Sequence, residues 1–253
     1  DNNETTSAHL STGMLVSNHS YGVYIFDEET NEQNVPDWYM GCYINDARNW
    51  DQVHYNSPGY LKVASAGNSG LRTYSNGLGA GLDKLTADKN SKNSLIVASA
   101  QVNFNPFSGE MNSLRISTFS SQGPTDDGRI KPDITGRGES VYSTSNDSAN
   151  PYDTSQGTSM SSPGVAGSLL LLQELYNDLN NNFMKSSTLR GLACHTATDD
   201  ADFSDIITGV FREGPDPYWG WGLLNSKLAA QTILDAQSNA SIIEENSLNQ
   251  GQS

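Results

Sequence analysis

Gly157-Thr158-Ser159-Met160-Ser161-Ser162-Pro163, running straight into the apolar stretch GVAGSLLLLQEL, sets one serine at the mouth of a core helix. Gly157 allows a tight turn and a close approach to a bound ligand. Pro163 is expected in the first helical turn, where a missing amide hydrogen does no harm. Gly164, Ala166 and Gly167 are small enough to admit neighbouring strands, and Leu169 to Leu172 make the helix apolar on nearly every side. Its N-terminus offers unpaired amides and the positive end of the helix dipole to negative charge developing beside Ser159. Taken alone, the same run also describes a serine-rich N-cap before a hydrophobic helix, so its neighbours must decide.

Outward from this run, short apolar segments alternate with helical ones. Met14 to Ser17 reads as a buried strand, residues 22 to 44 as a surface excursion, and Asn45 to Tyr55 as a helix with Ala47, Trp50 and Val53 on one side. YLKVASA, residues 60 to 66, is a second buried strand that breaks at Gly67-Asn68-Ser69-Gly70, and residues 71 to 93 read as a loop. Ser94 to Ala100, Ser113 to Phe119 and Val141 to Ser145 are further strands. The Gly-, Pro- and Asp-dense stretch from 120 to 138 reads as a chain of turns. Thr188 to Ala197 and Leu223 to Ala236 complete a helical C-terminal region. The alternation implies an α/β fold with a parallel sheet covered on both faces.

The 253 residues suffice for one large α/β domain, and a formal charge of -15 would repel nucleic acid and anionic membranes alike. No apolar run is long enough to span a bilayer, and the first ten residues lack the basic and apolar regions of a signal peptide. The two cysteines, Cys42 and Cys194, are too far apart for a zinc ribbon or a CxxC redox pair, leaving one disulfide or two thiols. An acyl-transfer serine also needs oxyanion donors, and Asn68, held by turn glycines at the end of a buried strand, is a candidate.

Three segments, in order VASAGNSG, FSSQGPTDDGRIKPDI and GTSMSSPGVAG, closely resemble the subtilisin-like serine peptidases, the subtilases, and WGWGLLNSKLAA resembles their closing helix. The resemblance spans roughly residues 13 to 236 and implies a parallel-sheet, three-layer subtilisin-like fold lacking its N-terminal strands. It implies that Ser159 is the nucleophile and Asn68 the oxyanion side chain, helped by the Ser159 amide. It makes Ser20-Tyr21-Gly22 the substrate-binding strand and Ser65-Ala66-Gly67 a wall of the specificity pocket, so that an extended protein or peptide substrate adds as a strand.

The chain departs from the family in two places. Gly136-Arg137-Gly138 stands where many relatives have Ala-Pro-Gly, a small change. More consequentially, no aspartate lies in a DSG-like context and no histidine in an HGTH-like one: His9, His19, His54 and His195 all lack it. No general base is nominated, and the expectation is a partial catalytic domain over residues 1 to 238, silent alone, whose His and Asp lie upstream. Residues 239 to 253 are then a tail or the start of a following domain. A secreted enzyme is implied, with calcium possible in the family but no metal or other cofactor assigned here. The competing expectation is a catalytically silent binding or structural module that keeps the cleft without the base.

Overall fold

The computed structural model describes residues 2–27, 29–30, 32–73, 82–146, 149–199 and 214–246. In chain order the elements are α1 (Asn2–Thr12), β1 (Val16–His19), α2 (Asn45–Asn56), β2 (Leu61–Ser65), β3 (Leu95–Phe104), β4 (Met111–Ile116), β5 (Ile134–Arg137), β6 (Val141–Thr144), β7 (Tyr152–Ser155), α3 (Thr158–Asn180), α4 (Ser186–His195) and α5 (Ser226–Ala236).

β1, β2 and β3 pair in parallel, with Val16 opposite Leu61 and Val63 opposite Leu95. β3 also carries β5 in parallel, Val97 opposite Ile134, and β4 antiparallel along its C-terminal half. Every residue of β2 is buried, as expected where helices cover both faces of a parallel sheet. On one face, Val16, Leu61, Val63, Leu95, Val97 and Ile134 meet Val165 and Leu169 of α3, Leu189 and Leu192 of α4, and Ile233 of α5. On the other, α2 sets Trp50 and Val53 against Tyr60, and the Trp50 ring covers the buried ammonium of Lys62 at 3.8 Å from its centroid. The result is the three-layer α/β arrangement expected, with β1 at the sheet edge and β2 its only sheet partner among the described residues.

Several local expectations are corrected. β5 lies inside the stretch read as turns; its ITGR sequence has little strand character of its own, and pairing with β3 beneath α3 makes it a strand. A Cβ on Gly136 would come within 2.8 Å of Val165 Cγ2, so this glycine lets α3 settle onto the sheet. Gly164 and Gly167, expected to serve that purpose, face open space, and Leu170 and Leu171 are exposed although Leu169 and Leu172 are buried. Helix α1 and strand β7 were not anticipated: the first is polar throughout, and the second completes an exposed hairpin with β6. Cys42 and Cys194 are free thiols. Ile243 packs against the main core, and Glu245 accepts hydrogen bonds from the Lys185 amide and the Thr188 hydroxyl, tying the chain after α5 to α4. No described helix is long and apolar enough to cross a membrane.

Two buried histidines make stability depend on pH. The His54 Nδ1–H donates to the Trp50 carbonyl at 2.7 Å while Nε2 accepts from the Lys62 amide at 3.3 Å, a pairing that fits only the neutral ring. Burial holds its pKa down at about 4, and that of His19 likewise, against 6.5 for a free imidazole. Between those values the unfolded chain takes up protons that the folded chain refuses. Stability is therefore full above about pH 6.5 and falls as the pH drops toward 4, by up to about 3 kcal/mol from His54 alone. Urea unfolding followed at pH 7, 5.5 and 4.5 should show the decline, and constant midpoints across that window would contradict it.

Candidate active site

Thr158 and Ser159 open α3, and the turn before them depends on Gly157, whose φ of 147° excludes other residues. Gly157 N–H donates to the Gly138 carbonyl and Gly138 N–H to the Ala100 carbonyl, so the turn hangs from the middle of β3. A Cβ at Gly138 would lie 2.3 Å from Ser99 Oγ and 2.6 Å from the Gly157 carbonyl oxygen, so only glycine fits there.

Pro163 is the sixth residue of α3 and so sits in its second turn, not the first. There it withholds the amide that would bond the carbonyl four residues back, that of Ser159. Ser20 Oγ donates to that carbonyl instead, at 3.0 Å, while Ser159 Oγ donates to the Ser20 carbonyl at 3.4 Å. Asn18 reinforces the junction, accepting from Ser162 Oγ at 2.7 Å and donating to Ser20 Oγ at 3.0 Å. The proline thus helps to join the serine's own backbone to the segment leaving β1.

Asn68 is fixed from its oxygen side. Its Oδ1 accepts from the Thr158 amide at 3.0 Å and from Thr158 Oγ1 at 2.9 Å. The Thr158 hydroxyl in turn accepts from Gly67 N–H at 3.1 Å, which directs its hydrogen to Asn68. With Oδ1 so occupied, Nδ2 is turned the other way. The position a Cβ would occupy on Gly157 is 3.4 Å from Asn68 Nδ2 and 3.6 Å from the Ser159 amide nitrogen, so two donors flank one small space beside the serine. Thr158, fully buried, escaped the sequence reading because a threonine at a helix start looks like an ordinary cap.

Ser20, Tyr21, Gly22, Ser65, Ala66, Gly67, Asn68 and Ser159 all line one cavity of about 140 Å³, which brings together every site residue expected from the sequence. Residues 20 to 26, which follow β1, line it; among the described residues no backbone group pairs with the amides of residues 21 to 24. The sequence reading missed three cations that line the same cavity, Arg72, Lys84 and Lys89.

None of the four histidines lines this cavity. His19 is nearest in sequence, but its Nδ1 bonds the Tyr21 hydroxyl at 2.5 Å and its Nε2 bonds Ser17 Oγ at 2.6 Å. With both nitrogens engaged and its pKa pushed down by burial, it is a structural imidazole. His9 bonds the Met14 carbonyl, His54 belongs to the α2 packing described above, and His195 ends α4 beside other surface hollows.

A serine at the head of a helix packed on a parallel sheet, faced by an anchored amide and a segment with unpaired amides, is an arrangement that suits an α/β serine hydrolase. A model of the subtilase family matches residues 2–222, and the chain belongs to that family of serine peptidases. Among curated relatives, the PII-type proteinase of Lactococcus lactis subsp. cremoris is 31% identical over 144 residues, covering 52% of this chain and 7% of that one. The subtilisin-like protease SBT3.9 of Arabidopsis thaliana is 31% identical over 130 residues, 49% of this chain and 17% of that one. The C5a peptidase of Streptococcus pyogenes reaches 48% identity over 62 residues, 24% of this chain and 5% of that one. The chain therefore spans a small fraction of the length of these relatives. Among solved structures, a mutant of the protease domain of PatA shares the fold with a TM-score of 0.58 at 17% identity, covering 91% of this chain and 64% of that one.

Proposed function

We propose that this chain carries the nucleophile and oxyanion hole of a secreted serine endopeptidase, and that the histidine and aspartate completing the triad come from polypeptide outside these 253 residues. The observation that carries this reading is the convergence of Ser159, Asn68, residues 20 to 22 and residues 65 to 67 on one cavity. A peptide lying along residues 20 to 22 forms backbone hydrogen bonds with the unpaired amides of Tyr21 and Gly22 and drops one side chain into the cavity. As Ser159 Oγ attacks the carbonyl carbon, the supplied histidine takes its proton, and the oxyanion is held by Asn68 Nδ2 and the Ser159 amide. The same histidine protonates the leaving amine as the C–N bond breaks, and water then releases the acyl group from Ser159. In this reading residues 1–238 belong to the catalytic domain and 239–253 lead out of it.

That no histidine is among the described lining residues also supports a second reading, a peptide-binding module that no longer cleaves. One labelling experiment separates them. A fluorophosphonate probe should leave the 253-residue chain unmodified and should label the same chain extended by its upstream coding sequence, with the signal abolished by Ser159→Ala. An extended protein that stays unlabelled would overturn the peptidase reading in favour of the module.

A further inference from the structure

The cavity beside Ser159 is unusual for so acidic a chain: Arg72, Lys84 and Lys89 line it, and among the described residues no Asp or Glu does. Lys89 is placed most tellingly. It is buried, its Nζ donates to the Tyr21 carbonyl at 2.9 Å, and a Cβ on Gly22 would lie 2.6 Å from that nitrogen. The ammonium therefore sits directly against the segment on which a substrate backbone would lie. Its nearest carboxylate, Asp88, is 3.9 Å away and is already in closer contact with Lys62, so one acid serves two buried ammonium groups. Arg72 is poised over the Phe26 ring at 5.3 Å, and Lys84 Nζ reaches the Leu82 carbonyl at 3.3 Å.

We infer that this cavity selects an acidic side chain, glutamate or aspartate, at the substrate position that enters it, with Lys89 as the specificity-determining residue. The inference rests on the peptide-cleft reading above. A carboxylate entering past Gly22 and Gly67 comes up against the Lys89 ammonium in a cavity also lined by Arg72 and Lys84 and meets no like charge among the described lining residues, whereas a lysine or arginine side chain would meet three cations. Burial lowers the pKa of Lys89 and holds that of Lys84 at about 8, a cost that an incoming carboxylate relieves.

Binding tests this without needing catalysis. Four peptides, acetyl-Val-Ala-Ala-Xaa-amide with Xaa as Glu, Gln, Leu or Lys, are titrated into the 15N-labelled chain, and the Gly22 and Gly67 amide shifts are followed. The Glu peptide is expected to bind about tenfold more tightly than the Gln or Leu peptide, as a charge-assisted hydrogen bond replaces a neutral one. In Lys89→Met the preference shrinks to within about twofold while the Leu peptide keeps its affinity. If Lys89→Met fails to fold, the wild-type ranking decides, with Lys84→Met as the second variant. A Leu or Lys peptide that shifts these amides at least as tightly as the Glu peptide overturns the acid pocket and leaves the cleft intact. No response of these amides to any of the four overturns the cleft itself, and the acid pocket with it.

Discussion

In the proposed peptidase, produced with its upstream coding sequence, replacing Asn68 with leucine is expected to lower kcat by about 10²–10³ with KM little changed, the scale of losing one oxyanion donor in subtilisin itself. The geometry explains the asymmetry between the two constants. Asn68 Nδ2 faces the space beside Ser159, where in the proposed mechanism charge appears only once the carbonyl has been attacked, so the ground-state peptide loses little. Thr158→Val should reproduce part of the loss, about tenfold in kcat, equivalent to one ordinary hydrogen bond. It removes the hydroxyl that links Gly67 N–H to Asn68 Oδ1 but leaves the Thr158 amide bond in place. Thr158 is thus a positioning residue, and Thr158→Ser should restore the rate. Steady-state kinetics on the three variants checks the ordering; a large rise in KM for Asn68→Leu, with kcat intact, would move Asn68 from the transition state to substrate binding.

How far the sequence disclosed this site depends on whether a residue's role is local. Gly157, Ser159 and Pro163 follow one another along the chain, and Asn68 lies between Gly67 and Gly70 at the end of an apolar strand, so turn chemistry and helix signals located them, while the resemblance to the subtilases supplied their roles. Lys89 was invisible for the opposite reason. It stands in a polar stretch that reads as solvated loop, and its burial arises when the short 3-10 turn Ala87–Asn90 folds under residues 20 to 22, a contact across 68 positions. β5 was masked in the same way, because ITGR becomes a strand only through β3 and α3. The apolar composition of α3 overstated its burial: periodicity can locate Leu169 and Leu172 on one face, but whether Leu170 and Leu171 have a neighbour is a matter of tertiary structure. Pro163 was recognised as tolerable in a helix, yet its consequence, a freed Ser159 carbonyl taken up by Ser20, requires a residue 139 positions away.

Asp133→Ala should cost about 3–5 kcal/mol of unfolding free energy, because it strands a buried cation. Lys131 is fully enclosed, and its Nζ has two acceptors: the Ser94 carbonyl at 2.9 Å and Asp133 Oδ2 at 2.6 Å. The same Oδ2 accepts from the Ile96 amide at 2.7 Å, so one carboxylate oxygen serves the ammonium and a β3 backbone donor together. The Asp133 backbone extends the tie: its amide donates to the Ile96 carbonyl at 2.8 Å, and its carbonyl accepts from Trp221 N–H at 2.9 Å. The alanine variant leaves the ammonium with a single neutral acceptor and the Ile96 amide with none, in a place where burial already lowers the Lys131 pKa. Asp133→Asn retains an acceptor and should cost less, about 1–3 kcal/mol. By contrast, Asp127→Ala at the exposed pair with Arg129 should stay within about 1 kcal/mol. Urea unfolding of the three variants at pH 7 provides the comparison. A loss below about 1 kcal/mol for Asp133→Ala would mean that Lys131 sheds its proton or finds water once the carboxylate is gone, and the pair would then serve to align β5 with β3 more than to stabilise the fold.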